Sequence, residues 1–196
     1  MATHRGIEST CQAVVEILRA NYNPAAFNRD LEFRVMSAGG FEHGLTAGVS
    51  LFVYRVMVGD TPRTPAGRRS ESGARLPPQL PVDVHFILTA WAPDASLQQG
   101  ITGWMMRTMD DHRVLAPGLL NRMSPGVFRD DETVEVLDGE LVSEDLFRLW
   151  ELLGPVTYQL SVPYLARNIR LESERELAAG ELVRERVVDF QGVGPR

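Results

Sequence analysis

The chain has 196 residues, 44% hydrophobic and 23% charged, the composition of a folded protein with a sizeable core. Its net charge of −6 argues against whole-molecule attraction to nucleic acid or anionic lipid. No apolar run approaches the roughly 18 residues needed to cross a bilayer, no leader-like segment follows Met1, and the single cysteine, Cys11, excludes an internal disulfide. We therefore expect a protein made in the cytoplasm, without membrane insertion. All 20 basic residues are arginine, whose planar fork suits protein interfaces better than lysine's point charge.

Ile7, Cys11, Val14, Val15 and Leu18 recur at helical spacing, with Ser9 and Thr10 near the start and "NYNP" as a stop. Cys11 falls on the apolar face, as a buried, inert thiol would. "LEFRVM" alternates and predicts a strand with Leu31, Phe33 and Val35 on one face; "SAGGFEHG" reads as a glycine loop. "VSLFVYRVMV" is apolar on both faces, the pattern of a central strand covered on both sides. "VDVHFILTAWA" puts Val82, Val84, Phe86, Leu88 and Ala90 on one face, and Asp83, His85, Ile87, Thr89 and Trp91 on the other.

"SLQQ" has the form of a capping box, Ser96 with Gln99. It opens a helix marked by Leu97, Ile101, Trp104, Met105 and Met109. "APGLLNRMSPGVFRDDE" reads as a second long connection. "TVEVL" is a short strand. "SEDLFRLWELLGP" is the clearest helix: Ser143 can cap it, and Leu146, Leu149, Trp150 and Leu153 face inward. In "VTYQLSVPYLARNIRLES" the apolar parity is even up to Tyr164 and odd at Leu165, Ile169 and Leu171, which predicts a bulge beside Pro163. "LVRERVVDF" offers a last strand. The order predicts one α+β domain over residues 1–196, with a mostly antiparallel sheet and helices packed on it. A long arginine- and proline-rich loop occupies 59–81, and a strand or tail occupies 173–196.

Catalytic constellations are sparse. The sequence lacks the nucleophile elbow, the phosphate-binding loop and the paired-histidine zinc motif. His4, His43, His85 and His112 are scattered. Asp83 and His85 share a strand face, so a carboxylate there can orient an imidazole, but no nucleophile accompanies them. "MDDH" at 109–112 offers metal-type donors that are more often a solvated helix end. We expect no cofactor, no metal and no catalysis.

The loop "TPRTPAGRRSESGARLPPQLP" is the chain's oddest stretch, because structureless connections beyond about 12–15 residues are uncommon in compact domains. With few acids, no aromatic residue and an acidic protein behind it, it makes a weak nucleic-acid patch. Two readings remain open on composition: plain disorder, or a segment that orders against a protein partner through arginine–carboxylate pairs and pre-extended prolines.

Three segments, "VSLFVYRV", "LPPQLPVDVHFILTAWA" and "LWELLGPVTYQLSVPY", together resemble the cap, or tail-terminator, proteins of phage-tail-like extracellular contractile injection systems, long a family of unknown function. The positions that carry the resemblance are Tyr54, Arg55, Pro77, Pro78, Asp83, Leu88, Trp150, Ser161 and Tyr164. It implies a tail-terminator-like fold and a structural role. Such proteins form a ring, usually six-fold, on the distal end of the inner tube and the contractile sheath; they end polymerisation and hold the sheath extended. The implied partners are other copies of the chain, sheath and tube, within a particle that is retained or released. On this reading the loop is an arm whose Arg63, Arg68, Arg69 and Arg75 meet acidic partner surface. The alternatives are a regulatory protein-binding module with a disordered basic loop, and a hydrolase using Asp83 and His85.

Overall fold

The computed structural model describes residues 2–61, 68–69, 75–76, 78–154 and 157–173. The predicted last strand, the tail after Ser173, Arg63 and Pro77 lie outside the described residues. A six-stranded sheet runs in the order β1 (Glu32–Val35), β2 (Gly48–Val58), β5 (Leu80–Trp91), β8 (Ser161–Leu171), β7 (Val134–Asp138) and β6 (Val114–Leu115). Among these strands β1 and β2 pair in parallel and the other pairs are antiparallel; Ala2 adds an isolated parallel bridge to Leu171. Helices α1 (Gly6–Asn21) and α3 (Ala95–Asp111) cover one face. A 3-10 turn (Ala38–Glu42) and α5 (Ser143–Leu152) cover the other. One-turn helices α2 (Pro24–Phe27) and α4 (Pro117–Leu120) sit inside stretches that read as connections.

The alternation on β5 explains the layering. Val82, Val84, Phe86, Leu88 and Ala90 join the core under α1 and α3, where Val14, Leu18, Ile101 and Met105 are also buried. Ile87 and Trp91 point the other way, into a second cluster with Phe41, Leu146, Trp150 and Leu153. Each fully buried aliphatic or aromatic side chain stabilises by about 1.5–3 kcal/mol relative to exposure. The cysteine follows the helical pattern: Cys11 is buried, and burial pushes its thiol up to about 12, so it is inert.

Local details differ from the sequence reading. The cap of α3 is Asp94, whose Oδ1 accepts the Leu97 amide at 2.9 Å; Ser96 lies inside the helix. Ser143 is the first residue of α5, after Val142, and makes no side-chain cap. The glycine loop contains the 3-10 turn that buries Phe41. Within it Gly44 has φ +56, and a Cβ there would stand 2.5 Å from the Trp91 ring. Gly48 begins β2 at φ +149, where a Cβ would meet the Glu32 carbonyl at 2.0 Å, so only glycine lets β1 lie against β2.

The parity change in β8 exists, but further along. Pro163 pairs in register with Ile87, and the register shifts only between Val82 and Val84 of β5. The extra residue falls at Arg167–Asn168, where Asn168 adopts φ 63, a left-handed conformation asparagine tolerates. Hence Leu165 stays off the helix-covered face, while Ala166 and Ile169 occupy it. Proline fits at Pro163 without a register change because it needs no donor there.

Candidate assembly surfaces

The strand predicted to be covered throughout is covered for only half its length. From Gly48 to Leu51, β2 is buried and flanked by β1, which ends at Val35. A second bulge, with Tyr54 as the extra residue opposite β5, redirects the strand. Beyond it Val56, Met57 and Val58 are 48%, 39% and 54% exposed, with Leu80 of β5 exposed beside them. The end of β2 is therefore an uncovered sheet edge, running beside Val82 and Val84 of β5, which stay in the core. The connection to β5 carries a second, two-residue ladder, β3 (Arg68–Arg69) with β4 (Arg75–Leu76), which pairs Arg68 with Leu76 and Arg69 with Arg75. Among the described residues of this stretch, those four form a short antiparallel ladder.

The other signature positions lie within the fold. Tyr54 packs at the margin of the second cluster, its ring 6.0 Å from that of His85, and Arg55 follows it on the surface. Pro78 is exposed, just before the buried Gln79. Asp83 Oδ1 accepts the Asn168 amide at 3.0 Å and so closes the β8 bulge. Leu88 is fully buried under the helices. Tyr164 stacks on Phe86 at 5.8 Å, and burial first, then Asp138, pushes its phenol up to about 12. Trp150 Nε1 donates to Ser161 Oγ at 3.2 Å, and Ser161 Oγ lies 2.9 Å from Thr89 Oγ1.

These contacts bring Trp150, Ser161 and Thr89 together at one end of β5, and Asp83, His85, Tyr54 and Arg55 towards the other. The carboxylate of Asp83 serves a backbone amide, so its place beside His85 has a structural reason. In "MDDH", Arg107 and Arg113 engage Asp110, and Arg107 also engages Asp111. Among the described residues no group of three or more histidine, cysteine or acidic side chains is placed to hold a metal. A cleft of about 360 Å³ is lined by Gln79, Phe128, Arg129, Asn168 and Arg170 among others. Its arginines are tied down: Arg129 pairs with the buried Glu172 at 2.9 Å, and Arg170 Nε donates to Asn168 Oδ1 at 3.1 Å.

His85 supplies a pH dependence. Burial, then the Arg55 guanidinium, hold its imidazole below the usual value, against the opposing pull of Asp83. The unfolded chain therefore takes up this proton at higher pH than the folded one. Stability present at neutral pH falls as pH drops through the unfolded value of about 6.5. We expect the loss in Tm between about pH 7.5 and about pH 5.5 to be smaller in His85→Gln than in the wild type. Identical slopes would mean that His85 does not contribute.

A second exposed apolar area was not apparent from periodicity. On the outer side of α5, Phe147 is 52% and Leu152 83% exposed, and Phe147 meets Tyr158 edge-on at 5.3 Å. Around them stand the exposed acids Glu144, Asp145 and Glu151, of which Glu144 pairs with Arg148 at 2.6 Å. The signal in the sequence was Phe147 and Leu152, two large apolar residues off the inward stripe of the chain's most amphipathic helix.

The family model described as the Pvc16 N-terminal domain matches residues 9–185, and the chain belongs to that family. Its fold is also that of two solved structures. One is the sheath/tube terminator of PVC, an extracellular contractile injection system, in its extended state. The match has a TM-score of 0.63 and 19% identity, and covers 96% of this chain and 64% of that one. The other is the tube-terminating cap of the anti-feeding prophage, with TM-score 0.60 and 16% identity, covering 91% of this chain and 59% of that one. This chain thus spans about three fifths of the length of those terminators. No curated protein matches it. The α+β, terminator-like fold expected from sequence is the one observed.

Proposed function

We propose that this chain is a structural cap that ends the inner tube and contractile sheath of a phage-tail-like injection particle. Membership of the Pvc16 N-terminal domain family over residues 9–185 carries the reading, supported by a fold shared with two terminators. It acts by binding, without turnover. Copies assemble into a closed ring, six-fold by the family resemblance, through a heterologous contact in which each copy offers two different surfaces. The ring covers the last layer of tube and sheath, whose outermost groups have no further subunit to pair with, and so stops growth and keeps the sheath extended. The arm carrying Arg63, Arg68, Arg69 and Arg75 reaches acidic surface on a neighbour. The chain is made in the cytoplasm and becomes part of the particle.

Particles produced without this chain should be of uncontrolled length or lack their sheath, as measured by electron microscopy, and should return to one length when the chain is supplied. Particles of normal length and sheathing in its absence would reject the reading. The rival, a regulatory binding module, predicts no effect on the particle at all.

A further inference from the structure

Among the described residues, the outer half of β2 is held from one side only. β1 stops at Val35. Past the Tyr54 bulge the ladder continues to β5 alone, with Arg55 opposite His85, Val56 opposite Val84, Met57 opposite Asp83 and Val58 opposite Val82. Next to Val58, the Gly59 amide donates to the Pro81 carbonyl at 3.0 Å. A bulge interrupts pairing, so the residues past it form a short unit that can part from β5 while the buried half of the strand stays in place.

At the root of that unit stand two basic groups. Residues directly opposite in an antiparallel pair put their side chains on one face, so Arg55 and His85 are neighbours across the strands. Burial, then Arg55, keep the imidazole neutral to lower pH than usual, and Asp83 opposes them. Tyr54 of β2, its ring 6.0 Å away and its phenol pushed up by burial, and Leu165, opposite on β8, bring no charge. Asp83 is fastened to the Asn168 amide, so it stays beside His85 whether or not β2 is paired. Arg55 leaves with β2.

We infer that His85 is an acid-sensitive latch: its protonation sets a second positive charge against Arg55 and releases the outer half of β2 from β5. In the open strand the imidazole is more exposed and Arg55 is gone, so the open form takes up the proton at higher pH than the closed one. Opening is therefore promoted as pH falls through the ordinary histidine value of about 6.5, and the effect levels off once the closed form is protonated too. Acid thus frees the backbone groups by which Val56, Met57 and Val58 pair. The latch belongs to the sheet, whether or not the chain is a cap.

The test is amide hydrogen exchange of the purified full chain, resolved to single residues at about pH 7.5 and about pH 5.5, each rate corrected for its intrinsic pH dependence. The Gly59 amide should be at least about tenfold less protected than those of Val49 and Leu51, and about 1–2 M urea should change it little, as local opening exposes little surface. Its protection should fall about two- to fivefold between the two pH values, the size expected of like charges in a cross-strand pair. His85→Gln should abolish that fall. Arg55→Gln keeps the imidazole and should at least halve it, which serves if the first variant fails to fold. Gly59 protection that ignores pH, that falls equally in either folded variant, or that follows Val49 and Leu51 in urea overturns the inference.

Discussion

Trp150→Ala should lower the unfolding free energy by about 3–5 kcal/mol, the usual cost of emptying a large aromatic site. For a chain of this size that is a fall in Tm of about 10 °C. The reason lies in how the second face of the sheet is covered. Trp150 is buried against Phe41 at 5.6 Å, Trp91 at 6.1 Å and Tyr158 at 5.6 Å. Phe41 in turn contacts Phe52 at 5.4 Å and Trp91 at 5.6 Å. Such pairs contribute about 0.5–1.5 kcal/mol each beyond the area they bury. Removing the shared ring would loosen α5 and the 3-10 turn together. Trp150→Phe keeps most of the ring but forfeits the bond to Ser161, and should cost only about 1–2 kcal/mol. Thermal denaturation followed by circular dichroism measures both. A loss below about 1 kcal/mol for the alanine variant would show that this layer can part from the sheet without cost.

Reversing Arg63, Arg68, Arg69 and Arg75 to glutamate should have the opposite profile: assembly is lost while Tm moves by no more than a few degrees. Surface substitutions away from special features usually fall within about 0.5 kcal/mol each. Four arginines would be drawn to an acidic partner surface, and four glutamates would be repelled by it. Particle length and ring formation by microscopy are the readouts. Normal assembly by the reversed variant would end the role given to the arm, whatever becomes of the cap reading.

Much of this was legible in the residues. The two faces of β5, the inward stripe of α1 and the inward stripe of α5 follow from periods of two and 3.6. The signature positions had a less obvious outcome. Asp83, Leu88, Trp150, Ser161 and Tyr164 chiefly build the fold: a bulge clamp, two core positions and one hydrogen bond between layers. The exposed large apolar side chains are other residues, Val56, Met57, Val58, Phe147 and Leu152 among them. An exposed valine on a strand end looks the same in sequence as a buried one.

Parity and periodicity are local properties, so the sequence alone was enough to determine the long elements, the inward faces of β5, α1 and α5, and the kind of domain they make. Where β1 stops against β2, which side chain caps α3 and where β8 bulges depend on neighbours distant in the chain. Those were settled only in three dimensions: Gly48 admits β1, Asp94 reaches the Leu97 amide, and Asp83 holds Asn168. The same holds for the exposed end of β2. Its exposure comes from a flanking strand that ends at Val35, a fact about packing that no stretch of "VSLFVYRVMV" contains.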